Sequence, residues 1–191
     1  MRAKQAAPGR AHGTANRVRI IGGQYRRRLL DFPGSGGLRP TPDRVRETLF
    51  NWLGQDLPGW TCLDLFAGSG ALGFEAASRG AARVVMIERD RAAHQALEKN
   101  RAALGAGAVE VVFADALAWL AGSRETFDLI CVDPPFGSGL AAPALADLVR
   151  HLGPGGLVYV EQAAPIEAPP GFIIHRSGRA GRSHFALLVE E

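Results

Sequence analysis

Between residues 61 and 161 short apolar runs alternate with longer helix-like segments, and that alternation restricts the chain to few architectures. Strand candidates fall at 61–66, 83–88, 109–113, 127–132 and 157–161, with helical segments near 71–79, 91–103, 116–121 and 139–151 between them. Strands joined through helices need crossover connections of one hand. The expected product is a mostly parallel sheet with helices on both faces. Two later apolar runs, 171–175 and 184–189, have only a short connection containing Gly178 and Gly181. They read as an antiparallel pair that closes one sheet edge and brings the strand count to seven. At 191 residues the chain is long enough for one well-filled α/β domain with appendages, and too short for two.

Ahead of that pattern the charge is distributed unevenly. The net charge is +3, yet 11 of the 22 basic residues precede position 47, accompanied only by Asp31 and Asp43. Residues 1–16 mix Ala, Gly, Pro and charge without periodicity and read as a disordered basic tail. From Arg17 onward Arg19, Arg26, Arg27 and Arg28 are interleaved with Val18, Ile20, Ile21, Tyr25, Leu29 and Leu30, the pattern of a basic β-hairpin turning at Gly22-Gly23. Gly34-Ser35-Gly36-Gly37 is a connector. Arg39-Pro40-Thr41-Pro42 then leads into a helix with Thr41 as N-cap, Pro42 in the first helical position, and Val45, Leu49, Phe50 and Leu53 on one face. The expected organisation is a tail (1–16), a basic hairpin-and-helix arm (17–54) and a body (55–191). A concentrated basic arm on a mildly acidic body points to a polyanionic partner.

Composition excludes several classes. With 47% hydrophobic and 21% charged residues, and no apolar stretch near membrane-spanning length, the chain reads as a soluble globular protein. The basic, small first residues have no apolar segment behind them, so no signal peptide is expected and the cytoplasm is the expected location. Cys62 and Cys131 lie inside strand candidates and read as buried packing rather than a disulfide or zinc site. His94, His151, His175 and His184 have no triad or metal spacing, and no metal is expected. Trp52, Trp60 and Trp119 read as core or element ends.

The chemistry is carried by the ends of the strands. Leu63-Asp64-Leu65-Phe66-Ala67-Gly68-Ser69-Gly70-Ala71-Leu72-Gly73 holds a formal G-x-G-x-x-G at the first strand-to-helix turn, and Glu88 ends the second strand. Asp64 at the mouth of the glycine turn repels a pyrophosphate and attracts a cationic amino-acid group. Glu88 suits the ribose hydroxyls of any nucleoside cofactor, while Asp115, after the third strand, is placed to meet an adenine amine. Three acids at three successive strand ends favour S-adenosylmethionine over a dinucleotide. After the fourth strand comes Asp133-Pro134-Pro135-Phe136. Two prolines stop the ladder and stiffen the backbone, so the Asp133 carboxylate, the Pro134 carbonyl and the Phe136 ring stand together. Acceptors beside a flat apolar face suit a planar base with an exocyclic amine.

Asp64-x-Phe66-x-Gly68-x-Gly70, Glu88, Asp115 and Asp133-Pro134-Pro135-Phe136, in that order, resemble the Rossmann-like S-adenosylmethionine-dependent amino-methyltransferases. Together with Arg39-Pro40-Thr41-x-Asp43-x-Val45-Arg46-Glu47-Thr48-Leu49-Phe50-Asn51, the stretch from Leu63 to Ala82 and the basic hairpin, they resemble more narrowly the RsmD family of bacterial small-subunit ribosomal RNA guanine-N2 methyltransferases. The resemblance runs over roughly residues 17–189, leaving residues 1–16 without a counterpart. Phe136 stands where many members of the wider superfamily have tyrosine. The resemblance implies a cofactor site of Asp64, Phe66, Ala67, Gly68, Ser69, Gly70, Glu88, Arg89, Asp115 and Ala116, and a catalytic group of Asp133, Pro134, Pro135 and Phe136. It further implies an RNA-binding set of Arg17, Arg19, Arg26, Arg27, Arg28 and Arg39, a ribosomal RNA or small-subunit assembly as partner, and a monomeric enzyme that uses neither membrane nor metal. Alternatives that keep the scaffold are an adenine-N6 or other amine methyltransferase on RNA or DNA, and a non-catalytic RNA-binding protein. A nicotinamide-dependent oxidoreductase is the remaining rival.

Overall fold

A hairpin of β1 (Asn16–Arg19) and β2 (Leu29–Phe32) precedes helix α1 (Asp43–Trp52) in the computed structural model, which describes residues 16–34 and 40–191. The expected tail up to residue 15, most of the glycine connector and Arg39 lie outside the described residues, and Asn16 already belongs to β1. The hairpin does not turn tightly at Gly22-Gly23. Residues 20–28 form a longer loop, closed by the Ile20 amide on the Arg28 carbonyl and the Arg27 amide on the Ile20 carbonyl. The glycines serve a different purpose: a Cβ on Gly23 would stand 1.8 Å from the Ser78 carbonyl oxygen, so this loop lies directly on the end of a helix in the body.

The body follows as β3 (Thr61–Asp64), α2 (Ala71–Ser78), β4 (Arg83–Glu88), α3 (Arg91–Leu104), β5 (Val109–Phe113), α4 (Ala116–Gly122), β6 (Phe127–Val132), α5 (Ala141–Leu145), β7 (Leu152–Gln162), β8 (Phe172–Ala180) and β9 (Ser183–Glu190). Strands β3 to β7 run parallel, β9 is antiparallel to β7, and the order across the sheet is β5-β4-β3-β6-β7-β9-β8. The chain therefore winds outward from β3 to one edge, returns to β6, and winds to the other. Alternate side chains divide between two cores: Cys62, Val84, Met86, Leu129, Cys131 and Tyr159 face α1, α2 and the hairpin, whereas Leu63, Val85, Ile87, Ile130, Val132 and Val158 face α4 and α5. This is the expected α/β arrangement, a seven-stranded mostly parallel sheet covered on both faces with an N-terminal hairpin beside it.

Three local expectations give way. The helix expected over 139–151 is only α5 and a 3-10 turn at Val149–His151, because β7 begins at Leu152, paired with Phe127, rather than at 157. Gly178 is not in a turn but within β8, beneath the Phe185 ring. Thr41 does not cap α1: Pro42 occupies the cap position, no side chain bonds to the helix start, and the Thr41 hydroxyl is directed elsewhere.

The arm is tied to the body by a buried ion network. Arg46 of α1 is fully buried; its guanidinium reaches Glu75 of α2 at 3.3 Å, Asp43 at 2.6 Å, and the carbonyls of Arg19 at 2.9 Å and Thr41 at 3.1 Å. Glu75, also fully buried, accepts the backbone amides of Ile21 and Gly22 and pairs with Arg79. Burial pulls the Arg46 pKa down while Glu75 and Asp43 oppose the shift. Charges taken out of water in this way need every partner they have. Val18, Ile20, Leu30 and Phe32 of the hairpin join the same core as Phe74 and Leu97.

Candidate active site

The outward winding from β3 and β6 leaves a crevice over the carboxyl ends of the strands, where ligands of open α/β sheets bind. A cleft of about 1380 Å3 occupies it. Its walls include Asp64 at the end of β3 with Phe66, Ala67, Gly68 and Ser69 from the loop that follows, Glu88 at the end of β4 and Arg89 after it, Asp115 and Ala116 after β5, and Asp133, Pro134, Pro135 and Phe136 after β6. Residues from four separate loops, expected from sequence to act together, thus share one cavity. Gly70 stands behind it as the left-handed residue before α2, at φ +77°, where a Cβ would meet Leu97 at 2.6 Å. Of the arginines expected to meet RNA, Arg17 alone among the described residues lines the cleft.

The glycine loop is shaped by acids. Asp64, almost fully buried, accepts the Gly73 amide at 2.9 Å, and burial pushes its carboxyl up to about 7, with Glu88 adding to the rise and the Gly73 bond opposing it. Glu88 accepts the Gly68 amide at 2.8 Å with one oxygen and the Asp90 amide at 2.7 Å with the other, which fixes the loop against the end of β4. Each oxygen retains a lone pair for a further donor. Asp115 has a local task as well: one oxygen caps α4 through the amides of Leu117 and Ala118, and the other faces Arg89 at 3.5 Å. A cleft whose glycine loop carries a buried, hard-to-ionise acid suits a cationic ligand group better than a phosphate.

Asp133 lies immediately beyond β6 and is partly exposed, whereas the Phe136 ring is 52% exposed at the cleft rim. The Thr41 hydroxyl donates to Asp133 at 2.8 Å. Burial, then Glu161, then Asp64 push the Asp133 carboxyl well above the usual range, against the Thr41 bond. Glu161 is itself raised by burial while it accepts the hydroxyls of Tyr159 and Ser183. Sequence reasoning missed Thr41 and Glu161 as cleft residues. Their signals were available: Thr41 sits in the Arg-Pro-Thr motif, and Glu161 ends the fifth strand candidate as Asp133 follows the fourth. Arg182 and Ser183, at the turn between β8 and β9, also reach the cleft.

The other arm arginines are differently disposed. Arg17 pairs with Asp31, Arg19 with Asp43, and Arg28 donates to the Ala103 carbonyl. Arg26 and Arg27 are exposed and make no side-chain hydrogen bond or ion pair among the described residues. Cys62 and Cys131 are free and buried, and His151 is buried against the Glu125 carbonyl. Among the described residues no helix is long and apolar enough to cross a membrane.

Known proteins resemble this chain in sequence and fold. Residues 18–189 match the family model described as Conserved hypothetical protein 95. The chain is 45% identical to Ribosomal RNA small subunit methyltransferase D of Escherichia coli strain K12, over 94% of this chain and 93% of that one. It is 41% identical to the Haemophilus influenzae protein of the same name, over 89% and 92%. The solved structure of Escherichia coli yhhF superposes with a TM-score of 0.84 at 46% identity, covering 92% of this chain and 99% of that one. Trm5b from Pyrococcus abyssi, at 17% identity and a TM-score of 0.69, shares the fold. The family match spans nearly all the described residues, from the third residue of β1 to the last strand of the chain, and the chain belongs to the RsmD methyltransferase family.

Proposed function

We propose that the protein transfers a methyl group from S-adenosylmethionine to the exocyclic N2 amine of a guanine in small-subunit ribosomal RNA. One observation carries this reading: the Asp133-Pro134-Pro135-Phe136 loop and the acid-lined glycine loop open into the same cleft. The names of the relatives supply the ribosomal RNA substrate. S-adenosylmethionine, when bound, supplies the electrophilic methyl group. The chain's own residues bind, orient and manage the proton. Asp64 is the buried acid that attracts the ammonium end of the cofactor, and Glu88 offers its remaining lone pairs to the ribose hydroxyls. Phe136 presents an open face on which a base stacks after leaving its own stack, a step costing a few kcal/mol. Asp133 and the Pro134 carbonyl accept the two amine protons. An amine conjugated with a purine ring is a poor nucleophile, and acceptors on both protons favour the tetrahedral nitrogen that forms as charge develops. Asp133 then takes the proton that the nitrogen loses. Arg17, Arg26, Arg27 and the hairpin around them form the RNA-facing side.

The test is reaction of the purified protein with methyl-labelled S-adenosylmethionine and, separately, small ribosomal subunits and naked small-subunit RNA, both from cells lacking the gene. Nucleoside mass spectrometry should find the label as N2-methylguanosine. Label on adenine, or no transfer to either substrate, would overturn the proposal.

A further inference from the structure

A carboxylate at a strand end is ordinarily steadied by its own loop, accepting backbone amides two or three residues onward. Asp133 is denied the nearest of these, because Pro134 and Pro135 have no N–H. The group that reaches it comes from 92 residues away: the Thr41 hydroxyl, 2.8 Å from Oδ2, is the one hydrogen-bond donor to this carboxylate among the described residues. Thr41 is 5% exposed, and its backbone is pinned by the Arg46 guanidinium on its carbonyl at 3.1 Å. Its hydroxyl is free for the task because α1 begins without a side-chain cap. We propose that Thr41 is a positioning residue for methyl transfer, delivered by the N-terminal arm to hold the Asp133 carboxylate toward the target amine. The proposal rests on Asp133 being the amine acceptor.

The electrostatic setting makes this bond consequential. Glu161 from β7 and Asp64 from β3 both face Asp133, and the Tyr159 hydroxyl donates a hydrogen bond to Glu161. Every neighbouring charge, and burial, favours protonated Asp133, which accepts poorly from an amine; the Thr41 bond opposes them.

Thr41→Val keeps the branched shape and deletes the donor, while Thr41→Ser keeps the donor. The measurements are kcat and KM on small-subunit RNA from pH 6 to 9, cofactor affinity by calorimetry, and the 13C titration of the Asp133 carboxyl in the free protein. Thr41→Val should lower kcat by about 10-fold or more, one hydrogen bond's worth. It should leave cofactor affinity within about two-fold, and should move both the acid limb of kcat and the Asp133 titration to higher pH. Thr41→Ser should restore all three. In an Asp133→Ala background, which removes both carboxyl oxygens, Thr41→Val should cost nothing further. Wild-type kcat and titration in Thr41→Val, equal impairment of Val and Ser, or losses that multiply with Asp133→Ala would each overturn the proposal. Normal turnover by Asp133→Ala would instead remove Asp133 from the reaction and take the Thr41 role with it. An inactive Asp133→Ala beside a normal Thr41→Val refutes only the positioning.

Discussion

Asp64→Asn should make the ligand-free protein more stable and a worse binder of S-adenosylmethionine. Asp64 ionises near pH 7 in the folded protein, against an ordinary 3.8. The sign follows from which state holds the proton more tightly. Here the folded state does, so Asp64 contributes most to stability at low pH, and that contribution is lost as pH rises from about 4 to about 7. Above that window the folded protein carries a buried carboxylate at a penalty of up to about 4 kcal/mol, taking about 1.4 kcal/mol for each pKa unit. Asparagine keeps an oxygen for the Gly73 amide and removes the penalty. At pH 8 thermal unfolding should shift upward by several degrees, at roughly 2–4 °C per kcal/mol for a domain of this size. Toward pH 4 the gap between variant and wild type should close. Asp133 and Glu161 are raised too, so the difference between the proteins, rather than the slope of either, isolates Asp64. Calorimetry supplies the other half: wild-type affinity for the cofactor should fall about 10-fold from pH 8 to pH 6 as Asp64 takes up a proton. The variant should bind weakly without that dependence. An Asn variant no more stable than wild type at pH 8, or one whose advantage persists unchanged to pH 4, would refute the reasoning.

Glu75→Ala should cost about 3–5 kcal/mol in denaturant unfolding by leaving the buried Arg46 guanidinium short of a partner; a loss below 1 kcal/mol would show that water replaces the carboxylate. Phe136→Ala should lose roughly 1–3 kcal/mol of RNA affinity or transition-state stabilisation, while Phe136→Tyr, which keeps the stacking face, should be near normal. Identical behaviour would mean that the ring does not stack on the target. Replacing Arg26 and Arg27 with Gln should flatten the log-log salt dependence of RNA binding by about 1.4 units, at 0.7 per phosphate on single-stranded RNA. An unchanged slope in filter binding would make this loop a solvated surface.

Much of the fold was legible because its causes are periodic. Five parallel strands were found from apolar runs alone, since residues such as Val84 to Ile87 must satisfy a core on each face. What escaped depends on contacts distant in sequence. Gly22-Gly23 has the composition of a tight turn, yet Gly23 is needed because the Ser78 carbonyl leaves no room for a Cβ. The buried pairing of Arg46 with Glu75 was equally invisible, for nothing local distinguishes Arg46 from Arg44, which is exposed on the same helix. The basic arm was read as one electrostatic unit. Among the described residues its arginines divide into a buried tie (Arg46), three with protein partners (Arg17, Arg19, Arg28) and three without (Arg26, Arg27, Arg44).

The acids and hydroxyls around the cleft show where local rules stop. From sequence, Thr41 looks like a helix cap and Asp115 like a ligand contact. In the structure Asp115 lines the cleft and is a cap as well, holding the amides of Leu117 and Ala118, while Thr41 leaves α1 uncapped to reach Asp133. Both residues obey the same chemistry, an oxygen seeking a partner at a chain end, and only the tertiary fold decides which partner is nearest. A threonine cap is worth about 1 kcal/mol to a helix. The arm's docking through Arg46 compensates for its absence, because the Thr41 carbonyl and the start of α1 are held by that guanidinium instead. The network that fastens the N-terminal arm to the body is therefore also what places a hydroxyl beside the acid of the Asp-Pro-Pro-Phe loop. Loosening it with Glu75→Ala should disturb Asp133 through Thr41 before the sheet itself unfolds.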